Sequence, residues 1–203
     1  MDDARLAILG QFTPEGTLTP GYGDHYLFFV GRDDVHSILL YLLQRETLGL
    51  DFNMYGYADD DLNQAVLDLI KKPSVTVQGT LDKSQAGGVH EKQIISLDET
   101  SDPTFLNSIA IGQSATHQIS HTKGGVLVGQ GVWFEGSTNW SKGGEGTGIS
   151  LKVDVSNPPK YIAQNNTLLV STNPVGLNRF RTELAIEHRT ALAQMEKANV
   201  KSN

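Results

Sequence analysis

The chain of 203 residues contains no cysteine, which excludes disulfides and thiolate metal sites. It also lacks any run near the ~20 apolar residues that a bilayer-spanning helix requires. The apolar stretch close to the start, within "MDDARLAILGQF", is short and follows two acids. No signal peptide is expected from it, and a cytoplasmic location is the default expectation. Positive charge is scarce: 16 Lys and Arg stand against 23 Asp and Glu, a formal net charge of −7. That balance argues against broad attraction to nucleic acid or to an anionic membrane, though one lysine in a cleft can still hold a phosphate. What is present, 38% hydrophobic residues and 21 glycines, describes a globular chain with many turns. Its length suits one domain, residues 1–203, with a substantial core.

Hydrophobic patterning orders the chain. "HYLFFVG" (25–31) reads as a buried strand. Asp33 or Asp34 then caps a helix whose apolar positions Val35, Ile38, Leu39, Leu42 and Leu43 fall at helical spacing, with Gly49 closing it. "LDFNMYGYA" (50–58) reads as a second strand ending in a turn. "DDDLNQAVLDLIKKP" reads as a second helix, with acids in its first turn, Lys71 and Lys72 in its last, and Pro73 as its stop. "SVTVQGTLD" (74–82) and "NSIAIGQ" (107–113) read as further strands, with a loop at 83–92. Strand, helix, strand, helix, strand predicts an α/β sheet with right-handed crossovers. "NTLLVST" (166–172) is a last strand. A long helix from about Val175 to Asn199 follows, with Leu177, Phe180, Leu184, His188 and Leu192 as its inner face. Its Arg179, Arg181, Arg189, Glu183 and Glu187 predict a solvated outer face. Residues 141–165 read as a long surface loop.

One stretch carries chemistry: "ISHTKGGVLVGQGVWFEGSTNWS", residues 119–141. On a strand, residues two apart share a side, so His121 and Lys123 project together, as do Ser137 and Asn139. If the hairpin returns beside itself, imidazole, ammonium, hydroxyl and carboxamide converge, a set suited to a phosphodiester. The pair alone carries little weight, because six histidines and ten lysines make a chance His-x-Lys common in a chain of this size. His117 precedes His121 by four, which on a strand separates them by about 13 Å, so no metal site is expected there. Trp133 and Phe134 are read as core or interface, and Trp140 as core or a base-stacking platform.

His121-Thr122-Lys123 with Gly136-Ser137-Thr138-Asn139 resembles the His-x-Lys and Gly-Ser-x-Asn motif of the phospholipase D superfamily. "LDFNMYGYADDDLNQAVLDLI", "TLDKSQAGG" and "QNNTLLVSTNP" resemble other segments of that family in the same order, so the likeness spans about residues 26–195. It implies a mixed β-sheet flanked by helices on both faces, an α-β-α sandwich. It further implies a metal-independent phosphodiesterase that needs no cofactor and works through a phosphohistidine. His121, Lys123 and Asn139 would be catalytic, with Lys123, Ser137 and Asn139 on the substrate phosphate. The sequence departs from the motif: Val128 and Gly129 stand where it has an Asp, and Asn165 and Asn166 where nucleases of the family carry a Glu. Glu145 and Asn166 are accessory candidates for the missing acid. His90, in "GGVHEK", is read first as a solvated loop histidine and second as a residue lining the pocket.

Single-motif members of this family pair as homodimers with the site across a two-fold axis, and a symmetric dimer is the expectation here. The substrate expected is DNA or RNA. Two other readings are carried: hydrolysis or transfer of a phospholipid headgroup, disfavoured by the absence of a basic amphipathic segment, and a non-catalytic phosphate-binding or assembly module that has lost its acids.

Overall fold

The computed structural model describes residues 1–88, 92, 95, 108–149, 156 and 162–202. Seven strands form one mixed sheet: β1 (His25–Phe29), β2 (Gly49–Met54), β3 (Thr76–Asp82), β4 (Ile109–Gly112), β5 (Lys123–Leu127), β6 (Val132–Gly136) and β7 (Thr167–Ser171), in the order β1-β7-β6-β5-β2-β3-β4. Strands β2, β3 and β4 run parallel, and every other pairing is antiparallel. The C-terminal ends of β2, β3, β4 and β6 therefore share one edge with the N-terminal ends of β5 and β7. In α/β sheets, that is the edge where ligands bind.

The helices among the described residues are α1 (Ala4–Ala7), α2 (Val35–Gln44), α3 (Asp60–Ile70), α4 (Lys83–Ala86), α5 (Lys142–Glu145) and the 29-residue α6 (Pro174–Ser202). Each start has a side-chain cap: Asp34 accepts from the Ser37 N–H, and Asp59 from the N–H groups of Asp61 and Leu62. Helices α2 and α3 pack together over one face of the sheet, and α6 covers β2 to β6 on the other. Sheet and helices make the predicted α/β sandwich. No helix among the described residues is long and apolar enough to cross a membrane.

Strand β2 shows how the two faces are sorted. Leu50, Phe52 and Met54 enter the apolar core, while Asp51 and Asn53 turn toward α6 and find partners there. Phe52 stacks on Trp140 with ring centroids 5.3 Å apart. Tyr57 and Phe134 close around the same indole at 5.7 and 6.5 Å. Helix α6 can approach β5 because Gly124 has no side chain: a Cβ there would lie 2.8 Å from the Phe180 ring and 2.5 Å from the Phe134 carbonyl.

Several local expectations are corrected. The first strand is not buried: among the described residues β1 is an edge strand paired only with β7, and Leu27 and Phe29 remain 42% and 36% exposed. Gly49 does not close α2, which ends at Gln44 with Arg45 as its cap; it opens β2 instead. The 83–92 loop begins with α4, and α5 lies within the 141–165 segment; residues 150–155 and 157–161 of that segment lie outside the described ones. Strand β5 starts at Lys123, so "THQIS" and His121 precede it rather than lie on it, and His117 sits in a turn at φ 60°. Trp140 is fully buried, so no base can stack on it. The outer face of α6 is less free than its charges suggest. Arg181 Nε donates to the buried Asp51 at 2.7 Å, and Glu187 accepts from Asn53.

Candidate active site

The turn after β2 is the hub of the site. Residues 55–58 leave the sheet edge between two other segments. On one side the Tyr55 N–H donates to the Thr122 carbonyl, and on the other Trp140 and Gly56, then Ala58 and Trp140, exchange backbone hydrogen bonds. The two halves of the motif, 121–123 and 137–140, are thus held against one short turn. Gly56 must be small for this: a Cβ there would stand 3.0 Å from the Asn139 carboxamide.

Around Tyr55 the predicted groups gather. Its ring packs on that of His121, with centroids 4.5 Å apart, and Lys123 Nζ lies 4.8 Å from the Tyr55 ring centroid. Lys123 Nζ also donates to the His121 carbonyl at 2.8 Å. The lysine is only 4% exposed, and burial pushes its pKa below the ordinary lysine value, against a smaller opposing pull from Glu135. An ammonium has three donors, and the His121 carbonyl takes one of them. Asn139 faces Gly56, and its Oδ1 is buried without a hydrogen-bond partner among the described residues. The His121 imidazole is exposed to solvent.

The backbone that carries His121 is fixed from behind. Asp82, at the end of β3, uses one carboxylate oxygen to cap α4 and the other to accept the Ser120 N–H at 2.7 Å. Ser120 Oγ accepts from Asn53 Nδ2, which also donates to Glu187. Burial raises the Glu187 pKa, while the Asn53 bond works against that rise.

Other candidates are engaged elsewhere. Ser137 Oγ accepts the Thr167 N–H at 3.0 Å, and Thr138 Oγ1 donates to the Thr167 carbonyl, so this pair ties β6 to the start of β7. Asn166 Nδ2 donates to the Gly144 carbonyl and to Gln164, anchoring the segment around α5. Glu145 is buried and its Oε2 meets His36 Nδ1 at 2.5 Å. Burial pushes the Glu145 pKa up to about 7, and Glu145 in turn holds the His36 pKa above the ordinary imidazole value. His90 lies outside the described residues.

Beside Gly129, one of the two positions where the family resemblance leads one to expect an Asp, lies the carboxylate of Glu46. Glu46, fully buried after α2, accepts the N–H groups of Thr47, Leu48, Gly49 and Gly129 on one oxygen, at 2.7 to 3.0 Å. A Cβ on residue 129 would lie 2.6 Å from that oxygen. The acid comes from another element and holds the end of β5 against the start of β2.

Sequence reasoning missed Tyr55, Glu46, His36 and the Asp82–Ser120–Asn53 chain. "MYGY" did mark Tyr55 as part of a notable turn. Nothing local marks Glu46 or His36, which read as ordinary positions near the two ends of a helix.

No protein-family model and no curated protein sequence matches the chain. Solved structures do. NucT from Helicobacter pylori superimposes with a TM-score of 0.60 at 16% identity, over 82% of this chain and 96% of that one. Nuc from Salmonella typhimurium, a phospholipase D family member, superimposes with a TM-score of 0.57 at 14% identity over the same shares. Both likenesses run through nearly the whole of the other protein, and the motif halves fall on the sheet edge described above. The chain has the fold of the phospholipase D superfamily.

Proposed function

We propose that the protein is a metal-independent phosphodiesterase of the phospholipase D superfamily, acting on DNA or RNA through a phosphohistidine. The observation that carries this reading is the gathering of His121, Lys123 and Asn139 around the Tyr55–Gly56 turn, with a buried ammonium beside an exposed imidazole. Lys123 and Asn139 would bind the non-bridging oxygens, and a preorganised cation in a poorly solvated position stabilises the developing charge more than one in water. Ser137 is placed on the phosphate through its backbone or a rotated hydroxyl, released from Thr167.

One chain supplies one such imidazole, and the chemistry uses two. In a symmetric dimer the sites face each other across the two-fold, each contributing His121 and Lys123. A ring nitrogen of one His121 attacks phosphorus as the bond to the leaving oxygen breaks. That oxygen takes a proton from the imidazolium of the second copy. Water, deprotonated by the same second imidazole, then opens the phosphohistidine and regenerates both groups. The two histidines must hold different protonation states at the start.

The test is turnover of single- and double-stranded DNA, RNA, bis-p-nitrophenyl phosphate and phosphatidylcholine in EDTA, alongside His121→Ala. EDTA-resistant hydrolysis of a nucleic acid that vanishes in the variant supports the reading, and preference for phosphatidylcholine moves it to lipid headgroups. A second reading, a non-catalytic phosphate-binding module, is favoured by one observation: Asn166 anchors Gly144 where the family places an acid. It predicts intact dimers with no turnover. A protein that stays monomeric at high concentration overturns the shared site.

A further inference from the structure

Beneath the Tyr57–Trp140 contact, three elements bring one histidine and two acids together. His36 lies in the first turn of α2, Asp59 caps α3, and Glu145 ends α5. They are 7%, 4% and 1% exposed. His36 Nδ1 stands 2.5 Å from Glu145 Oε2 and 3.7 Å from Asp59 Oδ2, and the three donor atoms lie within 4.8 Å of one another. No other such cluster of three occurs among the described residues.

Two features show that hydrogen bonding alone leaves this cluster incomplete. Asp59 spends Oδ1 on the N–H groups of Asp61 and Leu62, while its Oδ2 points to the imidazole. Glu145 Oε1 is buried and accepts no hydrogen bond from the described residues. A buried acceptor without a donor has lost its hydration with nothing in return. Among the described residues these two buried acids have no basic partner other than the His36 imidazole, and buried ionisable groups are normally paired or bound to a metal.

We propose that His36 Nδ1, Asp59 Oδ2 and the Glu145 carboxylate bind a divalent transition-metal ion of the zinc class, with water as a fourth ligand. A neutral imidazole and two carboxylates neutralise a 2+ charge, and one nitrogen with carboxylate oxygens suits zinc. Tetrahedral bonds of about 2.0–2.2 Å place ligand atoms about 3.3 Å apart. The Nδ1–Oε2 contact would open from 2.5 Å and the Nδ1–Oδ2 gap close from 3.7 Å, each by less than about 1 Å. The other ring nitrogen, Nε2, already faces Asp61 Oδ2 at 3.6 Å, as metal-bound histidines commonly face a carboxylate. The ligands come from three separate elements, so the ion joins α2, α3 and α5 and has a structural role. It is distinct from the phosphodiester site, and the proposal does not depend on any activity there.

The test uses the full chain, stripped with chelator and dialysed, then titrated with Zn2+ alone by calorimetry, with Mg2+ as comparison. The variants are His36→Asn and Asp59→Asn; asparagine is as good a helix cap as aspartate, so the second keeps α3 intact. The expected result is one zinc per chain, bound on the order of tenfold or more weaker in each variant, with a zinc-dependent rise in melting temperature that both variants lose. His121→Ala should bind zinc like the wild type. Absence of saturable binding, equal binding by wild type and both variants, or loss of binding in His121→Ala each overturns the proposal.

Discussion

Replacing Glu46 tests whether its carboxylate clamps the end of β5 to the start of β2. In Glu46→Ala, four N–H groups lose their acceptor. Thr47, Leu48 and Gly129 are exposed and can turn to water, whereas Gly49 is buried. With about 1–3 kcal/mol for a buried donor left unsatisfied, the Gly49 N–H alone predicts a loss of about 2 kcal/mol. Glu46→Gln keeps an acceptor oxygen without the charge and should lose about 1–2 kcal/mol. Burial opposes the Glu46 charge, yet the backbone donors together hold its pKa below the ordinary glutamate value. A carboxylate with a depressed folded pKa contributes stability that is complete above pH 4.5 and lost as the pH falls through the folded value. The acid limb of the stability profile below pH 4.5 should therefore be shallower in Glu46→Gln. Urea unfolding followed by tryptophan fluorescence measures both effects. A loss in Glu46→Ala under about 0.5 kcal/mol, the scale of an ordinary surface change, refutes the clamp.

Three further outcomes are expected. Lys123→Met should fold with an unchanged or higher melting temperature, since it removes a poorly solvated cation, while kcat falls by about 10²–10³; a large drop in melting temperature with turnover intact contradicts that role. Gly124→Ala should lose about 1–3 kcal/mol by overpacking β5 against Phe180, read as a lower urea midpoint. His188 is buried, its Nδ1 donates to the Gly79 carbonyl at 2.9 Å, and burial holds its pKa below 6.5. Its contribution is full above pH 6.5 and lost as the pH falls through the folded value, so His188→Gln should flatten the profile over that window.

The elements legible in the sequence are those whose own pattern decides them. Helix α2 announces itself by apolar spacing and an aspartate cap at 33 or 34, α3 by the acids of its first turn and the lysines and Pro73 at its end, and the inner face of α6 by Leu184 and His188. The parallel β2–β3 pairing follows from the crossover between them. Strand order is not local information: that β1 lies beside β7 depends on which edges remain open once the hairpins have formed. In the site, His121, Lys123 and Asn139 are marked by the motif. Glu46, His36 and Asp82 act through partners 83, 109 and 38 residues away in the chain, and no spacing rule spans such gaps. The charges of α6 misled for the same reason, because a surface-like pattern cannot reveal that β2 offers Asp51 and Asn53 opposite it.

The pairing of β1 with β7 sets a timetable for synthesis. Residues 25–29 are made early, and their strand partners among the described residues are 167–171. At about 5–20 residues per second, the strand waits roughly 7 to 28 s for its partner to be made. Throughout that interval one edge carries Leu27, Phe28 and Phe29 with unpaired backbone groups, the kind of segment that recruits another strand. Folding cannot be completed in the order in which the chain emerges, so the growing polypeptide is most exposed to misassociation, and to chaperone capture, until β7 arrives.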